Sequence, residues 1–155
     1  MFGTLVKTEI AVERFADVID EIKPLLVEHW HELALYSDIP LDPDYTAYEA
    51  LDRSGAIVIY TVRAHGELVG YAVYFIRKHL HYRQHTWAVN DIVLVRDRYR
   101  DFGIGTALFD FIEADLRKRG ADVVHTGTKV LHPELAMLLR SRGHTEAEIG
   151  FSLRL

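Results

Sequence analysis

A charged turn with two closely spaced glycines lies between an apolar stretch and a long amphipathic segment. The turn runs from Arg100 to Gly105, carries its other glycine at Gly103, and follows an apolar stretch that ends at Val95. The first amides of a helix have no partner within the helix, and the helix dipole places partial positive charge there. Glycine lets the backbone approach a bulky anion, and Arg100 adds positive charge. The pattern predicts an anion-binding site at the start of a helix.

Two common phosphate loops are excluded by the residues around these glycines. A Walker loop needs a lysine directly after its last glycine, but Thr106 follows Gly105. A dinucleotide fingerprint needs a third glycine where Leu108 stands and an acidic residue at the end of the next strand. Asp122 begins that strand instead. The pattern that remains is Arg-x-x-Gly-x-Gly.

This pattern, placed after an apolar strand, resembles the GNAT superfamily of N-acetyltransferases. The segment Asp97-Arg98-Tyr99 stands where members of the family often carry Pro-x-Tyr. The order of elements fits from Phe2 to Leu155, and the motifs are similar from about Trp87 to Arg119. The pairs Asn90-Asp91 and His81-Tyr82 are similar to small GNAT proteins encoded by bacteriophages.

The resemblance implies that the chain binds acetyl-coenzyme A (acetyl-CoA) as its acyl donor. Amides at the helix start would hold the pyrophosphate, and the preceding strand would pair with the pantetheine arm like an extra strand. Asp101 stands where the family usually has glycine, so it either caps the helix or lies near a phosphate and weakens binding. Lys129 either reaches a phosphate or is solvated. The implied cofactor-binding residues are Val93, Leu94, Val95, Arg100, Asp101, Phe102, Gly103, Ile104, Gly105 and Thr106.

An acidic residue, Asp91, lies inside the apolar strand, four positions before Val95. Acyl transfer needs a neutral amine, and most amines are protonated near neutral pH. Asp91 is the predicted base, because a partly desolvated carboxylate has a raised pKa. GNAT members also often place an acidic residue here. The alternative is that Asn90 and Asp91 satisfy backbone groups at a β-bulge.

The general acid that the family usually supplies has no counterpart in this sequence. GNAT members carry a tyrosine on the last helix, four residues before a glycine, and Leu139 stands there. Tyr82, Tyr99 and His125 are weak substitutes, and His125 is also explained as a half-buried histidine bound to backbone. If none of them acts as the acid, the thiolate leaves with help from water, or the activity is slow or lost.

The remaining histidines and acidic residues indicate whether a metal site is expected and what charge the acceptor would carry. The chain has nine histidines, but the group at His79, His81 and His85 has no acidic partner at metal-ligand spacing, so no metal site is expected. Acidic residues between Asp38 and Asp52 would attract a cationic acceptor or form a solvated face. The expected partners are acetyl-CoA and an amine-bearing small molecule or protein, and a homodimer stays open.

Composition narrows the class of protein. The net charge of -5 argues against nucleic-acid binding, and the absence of cysteine excludes disulfides and a thiol nucleophile. No stretch approaches the roughly 20 apolar residues of a membrane span, and the first residues lack the apolar run of a signal peptide. These features predict a soluble, cytoplasmic protein.

The elements that must position the turn follow from hydrophobic periodicity and turn residues. Pro24 predicts a kink or two successive helices, and Lys78 to His85 is predicted to be a polar connection. A strand–helix–strand unit around the glycines requires a parallel pair. The predicted strands are Gly3 to Ile10, Ile57 to Val62, Leu68 to Arg77, Trp87 to Val95, Asp122 to Thr126 and Glu146 to Leu153, and the predicted helices are Val12 to Leu35, Asp44 to Arg53, Ile104 to Leu116 and Pro133 to Arg142.

This order predicts an α/β (α+β) fold with a single mixed, mostly antiparallel central sheet flanked by helices. One domain is expected over residues 1–155. The favoured function is transfer of an acetyl group from acetyl-CoA to a primary amine by direct attack. The alternative, favoured by Leu139 and Asp101, is a catalytically weak or inactive CoA-binding or protein-interaction module with the same fold.

Overall fold

The computed structural model describes residues 6–155 as a five-stranded sheet flanked by helices. The elements are β1 (Thr8–Val12), α1 (Phe15–Leu33), α2 (Tyr45–Ser54), β2 (Ile57–Ala64), β3 (Glu67–His79), β4 (Tyr82–Val95), a 3-10 helix (Asp97–Phe102), α3 (Ile104–Lys118), β5 (Val123–His125) and α4 (Glu134–Ser141). The strands lie in chain order, antiparallel from β1 to β4, and β4 pairs with β5 in parallel. The predicted mixed, mostly antiparallel sheet is confirmed.

Both faces of the sheet are covered, which explains why β2 and β3 read as continuous apolar runs. On one face, Tyr60 and Tyr74 pack against the buried stripe of α3 that includes Leu108 and Ile112. The other face carries α1 and α2; its buried residues include Phe15, Val18, Ile22, Leu25, Ile59, Tyr71 and Val73. Helices therefore cover both faces of the sheet, and a ligand reaches the sheet at its edges. In the part of the chain described, no helix is long and apolar enough to cross a membrane.

The helix that contains Pro24 is a single element, so the predicted alternative of two successive helices was wrong. Proline removes one helical hydrogen bond and usually weakens a helix interior. Here the buried residues Val18, Ile22 and Leu25 lie on both sides of Pro24 and pack on one face of the sheet. Tertiary packing therefore holds α1 continuous across the proline.

The polar segment predicted as a connection, Lys78 to His85, is instead the tip of a long hairpin. The β3–β4 ladder continues past the core, with Arg77 paired to Trp87 and Lys78 to Thr86. The side chains there are polar because this part of the hairpin is largely exposed. Polarity predicted a loop, but backbone pairing between two long strands decided the structure.

The predicted strand from Glu146 to Leu153 was wrong, because this segment has no regular structure. Its alternating apolar residues, among them Ile149 and Phe151, are exposed instead of buried. Side-chain bonds hold it to the loop after α1, where Tyr36 and Ser152 hydroxyls lie 2.7 Å apart. β5 is only three residues long, so it offers a partner strand little edge. The predicted first strand lies partly outside the described residues, and its described part pairs from Thr8.

Candidate active site

The two parallel strands separate soon after they meet. β4 pairs with β5 only from Trp87 to Val89, and then continues alone on that side to Val95. The backbone groups of this outer half of β4 pair with β3 on one side, but β5 does not extend far enough to pair with them on the other. A free strand edge can accept an extended ligand as an additional strand.

Two side chains bridge the point where the strands separate. The Asn90 amide group accepts a bond from the Gly127 N–H (2.7 Å) and donates one to the Gly127 carbonyl oxygen (3.2 Å). In addition, the hydroxyl of the buried Tyr74 lies 2.7 Å from that of Thr126. These bonds fix the loop after β5 beside β4 while leaving the β4 edge open further along.

The glycine turn forms the predicted helix start. Gly103 adopts φ +72°, a left-handed conformation that strongly favours glycine, and α3 begins at the next residue. The first bond of the helix runs from the Ala107 N–H to the Gly103 carbonyl oxygen (3.1 Å), so the amides of residues 104–106 precede the first helical donor. A Cβ on Gly105 would lie 2.9 Å from the Leu138 Cδ2 atom of α4. The turn is thus packed closely against α4 and leaves no room for a side chain.

The free edge of β4, the start of α3 and parts of α1 and α4 enclose a cleft of about 490 Å³. Most of the cofactor residues predicted from the resemblance line it, whereas Asp101, Phe102 and Ile104 do not. Ile104 packs in the core, and Phe102 is exposed. The predicted residues that line the cleft are Val93, Leu94, Val95, Arg100, Gly103, Gly105, Thr106 and Lys129.

Arg100 is engaged by the protein itself. Its guanidinium donates two hydrogen bonds to the carboxylate of Glu32 on α1, at 2.6 and 2.9 Å, and its Nε donates to the Val95 carbonyl oxygen at 2.7 Å. The hydrogen bonds from Arg100 hold the pKa of the Glu32 carboxyl below its usual range. An anion that enters the cleft must therefore share this guanidinium with Glu32.

Replacing Glu32 by glutamine is expected to tighten coenzyme A binding severalfold. The change removes a negative charge from the cleft and frees part of the Arg100 guanidinium; an exposed pair of this kind contributes about 0.2–1 kcal/mol. Isothermal calorimetry at low and high salt measures the effect, which should shrink as salt screens the charges. Weaker binding in this variant would mean that Glu32 positions Arg100 for the ligand.

Asp101 does not cap the helix, contrary to one of the two roles expected for it. No side chain caps α3, and Asp101 lies in the exposed 3-10 helix that precedes Gly103. Since it also lies outside the cleft lining, its carboxylate does not point at the anion site. An aspartate can replace the glycine that the family usually has here, because the Asp101 side chain lies on the solvent-facing side of the turn.

Asp91 lies at the inner end of the cleft and has a hydrogen-bond partner. The Tyr48 hydroxyl of α2 donates to its carboxylate at 2.5 Å, and the Phe15 ring stacks on Tyr48 with centroids 6.4 Å apart. Burial, together with this bond to Asp91, raises the pKa of Tyr48, so the phenol keeps its proton. Asp91 itself is exposed, so the expected desolvation was wrong. The β3–β4 register shifts between Val73 and Tyr74, opposite Asp91, so the carboxylate does lie at a β-bulge.

The comparison with known sequences decides the family. Residues 17–143 match the profile of the Acetyltransferase (GNAT) family. The chain belongs to the GNAT family of acetyltransferases. Members of this family take their acyl group from acyl-CoA. No curated protein sequence matches the chain.

Solved structures of acetyltransferases share the fold over nearly the whole chain. A ribosomal-protein-alanine N-acetyltransferase from Brucella melitensis biovar Abortus 2308 has a TM-score of 0.73 at 20% identity, covering 96% of this chain and 99% of its own. Glucosamine-6-phosphate N-acetyltransferase from Arabidopsis thaliana has a TM-score of 0.72 at 16% identity, covering 96% and 98%. AAC(6')-Iy, in complex with the bisubstrate analogue CoA-S-monomethyl-acetylneamine, has a TM-score of 0.75 at 16% identity, covering 96% and 98%. At these identities the likeness establishes the GNAT fold alone.

The two weak catalytic candidates lie away from the GNAT cleft. Tyr82 starts β4 and stacks on Trp87, nine residues or about 30 Å along the strand from Asp91. His125 ends β5, 3.0 Å from the Glu148 carboxylate, and does not line the cleft. Tyr99 is partly buried and packs against the core cluster that includes α3. The structure therefore leaves Asp91 as the one predicted catalytic residue beside the cleft.

The position where many GNAT members carry a catalytic tyrosine is part of the core here. Leu139 of α4 is 6% exposed, and no phenol reaches the cleft from this helix. His29 lines the cleft, but burial lowers its pKa to about 4, so it is neutral at pH 7 and donates no charge-assisted bond there. The lining residues that were not predicted from the sequence include His29, Glu32, Thr128, His132, Glu134, Leu135 and Leu138.

Proposed function

We propose that this GNAT protein transfers an acetyl group from acetyl-CoA to a primary amine by direct attack, working as one domain over residues 1–155. One observation carries the proposal: the free edge of β4, the uncapped start of α3 and the Asp91 carboxylate border a single cleft. The partners are acetyl-CoA and an amine-bearing acceptor, and the site of action is the cytoplasm.

Three features of the cleft support binding of the donor substrate. Gly103, Gly105 and Thr106 line the cleft, and the amides of residues 104–106 precede the first helical donor, so a diphosphate bound here would meet unpaired N–H groups. Lys129 lines the same cleft and adds positive charge to it. The free edge of β4 can hydrogen-bond the amides of a pantetheine arm as a neighbouring strand would.

The chemistry that the donor supplies is a thioester carbonyl that an amine can attack. The amine nitrogen forms a bond to the carbonyl carbon, the carbon–sulfur bond breaks, and the thiolate leaves and takes a proton from solvent. Asp91 accepts the proton that the amine must lose, either directly or through water. Because its carboxylate also attracts the ammonium form, Asp91 holds the acceptor where the proton is removed.

Tyr48 positions this base. The phenol donates to one carboxylate oxygen of Asp91, which leaves the other oxygen for the acceptor. The raised pKa of Tyr48 keeps it as a donor, so it does not compete with Asp91 as a base. Tyr48 is fixed in turn by stacking on Phe15, at an angle of 2° between the ring planes.

The test is acetyl-CoA binding followed by turnover. Calorimetry is expected to show one donor site per chain, and release of free coenzyme A thiol should depend on an added primary amine. The panel comprises alkylamines, diamines, amino sugars and peptide N-termini, with the matching alcohols as controls. Failure of acetyl-CoA to bind at millimolar concentration would overturn the proposal at its first step.

A second candidate function is a CoA-binding module with little or no catalysis. It is favoured by Leu139, which is buried where many family members carry the tyrosine that protonates the leaving thiolate. The two candidates differ in the turnover assay alone. Donor binding without amine-dependent thiol release, over the whole panel, would favour the module.

A further inference from the structure

The outer part of the β3–β4 hairpin carries partly exposed apolar side chains on the face that α1 covers further inward. Phe75 of β3 pairs across the ladder with Val89 of β4, and Arg77 pairs with Trp87. β5 adds Val123 beside Trp87 and His125 beside Val89. Directly paired residues share a face of the sheet, so these side chains form one continuous surface. It begins next to Asp91 and runs toward the hairpin tip.

A second hollow, of about 330 Å³, lies on this surface. It is lined by Phe75, Arg77, Val89 and Asn90. Asn90 lines both the donor cleft and this hollow. Asp91, the next residue, lines the donor cleft, and its carboxylate lies on the face that α2 covers, where Tyr48 donates to it. An acceptor whose nitrogen reaches Asp91 has the hollow as a neighbouring place for the rest of its structure.

Beyond the hollow, four rings form a cluster centred on Trp87. The centroids of His79, Tyr82 and His125 lie 4.2, 6.2 and 6.5 Å from that of Trp87. Tyr82 and His125 are nearly parallel to the indole, at 10° and 22°. Trp87 is only partly buried, so the ring cluster offers a stacking surface at the exposed end of the hollow.

We propose that the hollow and the ring cluster form the acceptor subsite, and that the acceptor is a primary amine whose flexible chain ends in an aromatic ring. The proposal rests on the acetyltransferase function proposed above. The nitrogen lies at Asp91, the chain crosses Phe75 and Val89, and the ring stacks on Trp87. Asp91 and Trp87 are four residues apart, or about 13 Å along the strand. With the nitrogen about 3 Å from the carboxylate, about 10 Å remain to the ring centre, which matches an extended chain of about six methylene groups.

An aromatic ring and a second cation both bind to an indole face, the cation through cation–π attraction. The charges around the ring cluster have both signs. Arg77 pairs directly with Trp87, whereas the Glu148 carboxylate lies 3.0 Å from His125 and the Asp122 carboxylate 3.4 Å from His85. Because these charges offset one another, the surface attracts no second cation, and the nearly parallel rings of Tyr82, Trp87 and His125 favour a neutral aromatic group.

The experiment compares kcat/KM for 6-phenylhexylamine and hexylamine at saturating acetyl-CoA. We expect the phenyl compound to be favoured about tenfold, because its ring leaves water and stacks on the indole. Trp87→Leu should reduce that ratio to about two or less, and 2-phenylethylamine, whose ring cannot reach Trp87, should gain little in either protein. Leu80→Ala, at the exposed hairpin turn, is the matched control and should leave the ratio unchanged. Equal kcat/KM for the two hexylamines in the wild-type protein, or a ratio insensitive to Trp87→Leu, overturns the subsite.

A second readout does not depend on turnover. The chain has two tryptophans, so in a Trp30→Phe background the emission reports Trp87 alone. Titrating 6-phenylhexylamine into the coenzyme A complex should change this emission saturably, and hexylamine should not. Saturable binding without acetylation of any amine would refute the acetyl transfer but keep the subsite. Acetylation of hexylamine together with an unresponsive Trp87 would refute the subsite and keep the transfer.

Discussion

Replacing Asp91 with asparagine is expected to lower kcat about a hundredfold or more while the affinity for acetyl-CoA stays within about twofold. The amide keeps the size of the side chain but cannot accept the acceptor's proton, and a positioned base contributes about 10²–10⁴ in rate. The activity that remains should rise about tenfold per pH unit, because only the free amine fraction reacts until the pH reaches the acceptor's own pKa. Steady-state turnover between pH 6 and 10 and calorimetric titration with acetyl-CoA give the two measurements.

The matched control is Asp101→Asn, which removes the same charge from an exposed residue outside the cleft lining. It should change kcat less than twofold. Tyr48→Phe removes the bond to Asp91 but not the base, so it should lower kcat only about three- to tenfold. If Asp91→Asn and Asp101→Asn behave alike, Asp91 is not the base, although the family assignment stands.

A valine in place of Gly105 is expected to weaken acetyl-CoA binding about a hundredfold or more. The new side chain would stand among the amides that precede the first helical donor, where the diphosphate is proposed to lie. It would also meet Leu138, whose Cδ2 atom lies 2.9 Å from the position of an added Cβ. Calorimetry measures the affinity, and thermal unfolding of the free protein shows whether the fold persists.

A double-mutant cycle separates the two causes of that loss. Gly105→Ala adds only a methyl group, and Leu138→Ala removes the side chain that it would contact. If crowding against α4 is responsible, the double variant recovers the affinity that Gly105→Ala loses. If the methyl group blocks the anion site, the loss persists without Leu138. Full affinity in Gly105→Val would remove the start of α3 from the donor site.

The fold was largely predictable because hydrophobic periodicity and turn residues act locally. The stripe of α3 and the turn at Gly66 could be located from neighbouring residues alone. The errors lie where distant contacts override local pattern. The segment from Lys78 to His85 is polar, yet pairing between β3 and β4 continues through it. The chain after Glu146 alternates like a strand, yet it pairs with no neighbour among the residues described.

The donor side of the site was predictable for the same reason, since the turn and the strand before it are adjacent in sequence. The acceptor side was not, and neither was the partner of Arg100 on the donor side. Tyr48 contacts Asp91 across 43 positions of sequence, and Glu32 reaches Arg100 across 68. No sequence pattern identifies either pair, because the residues become neighbours only when α1 and α2 have packed on the sheet. The bidentate bond to Glu32 also shows why a lone arginine beside two glycines cannot be assumed to be free for a phosphate.

The Asn90 side chain takes the place of one backbone rung between two parallel strands. Both of its polar atoms are used by a single residue, Gly127, which matches the donor and acceptor of a peptide unit. The distance between the β4 backbone and Gly127 is therefore set by the length of the Asn90 side chain, and the two hydrogen bonds oppose any change in it. The gap between β4 and the loop that follows β5 is therefore already set at this point before a ligand enters the cleft beyond it.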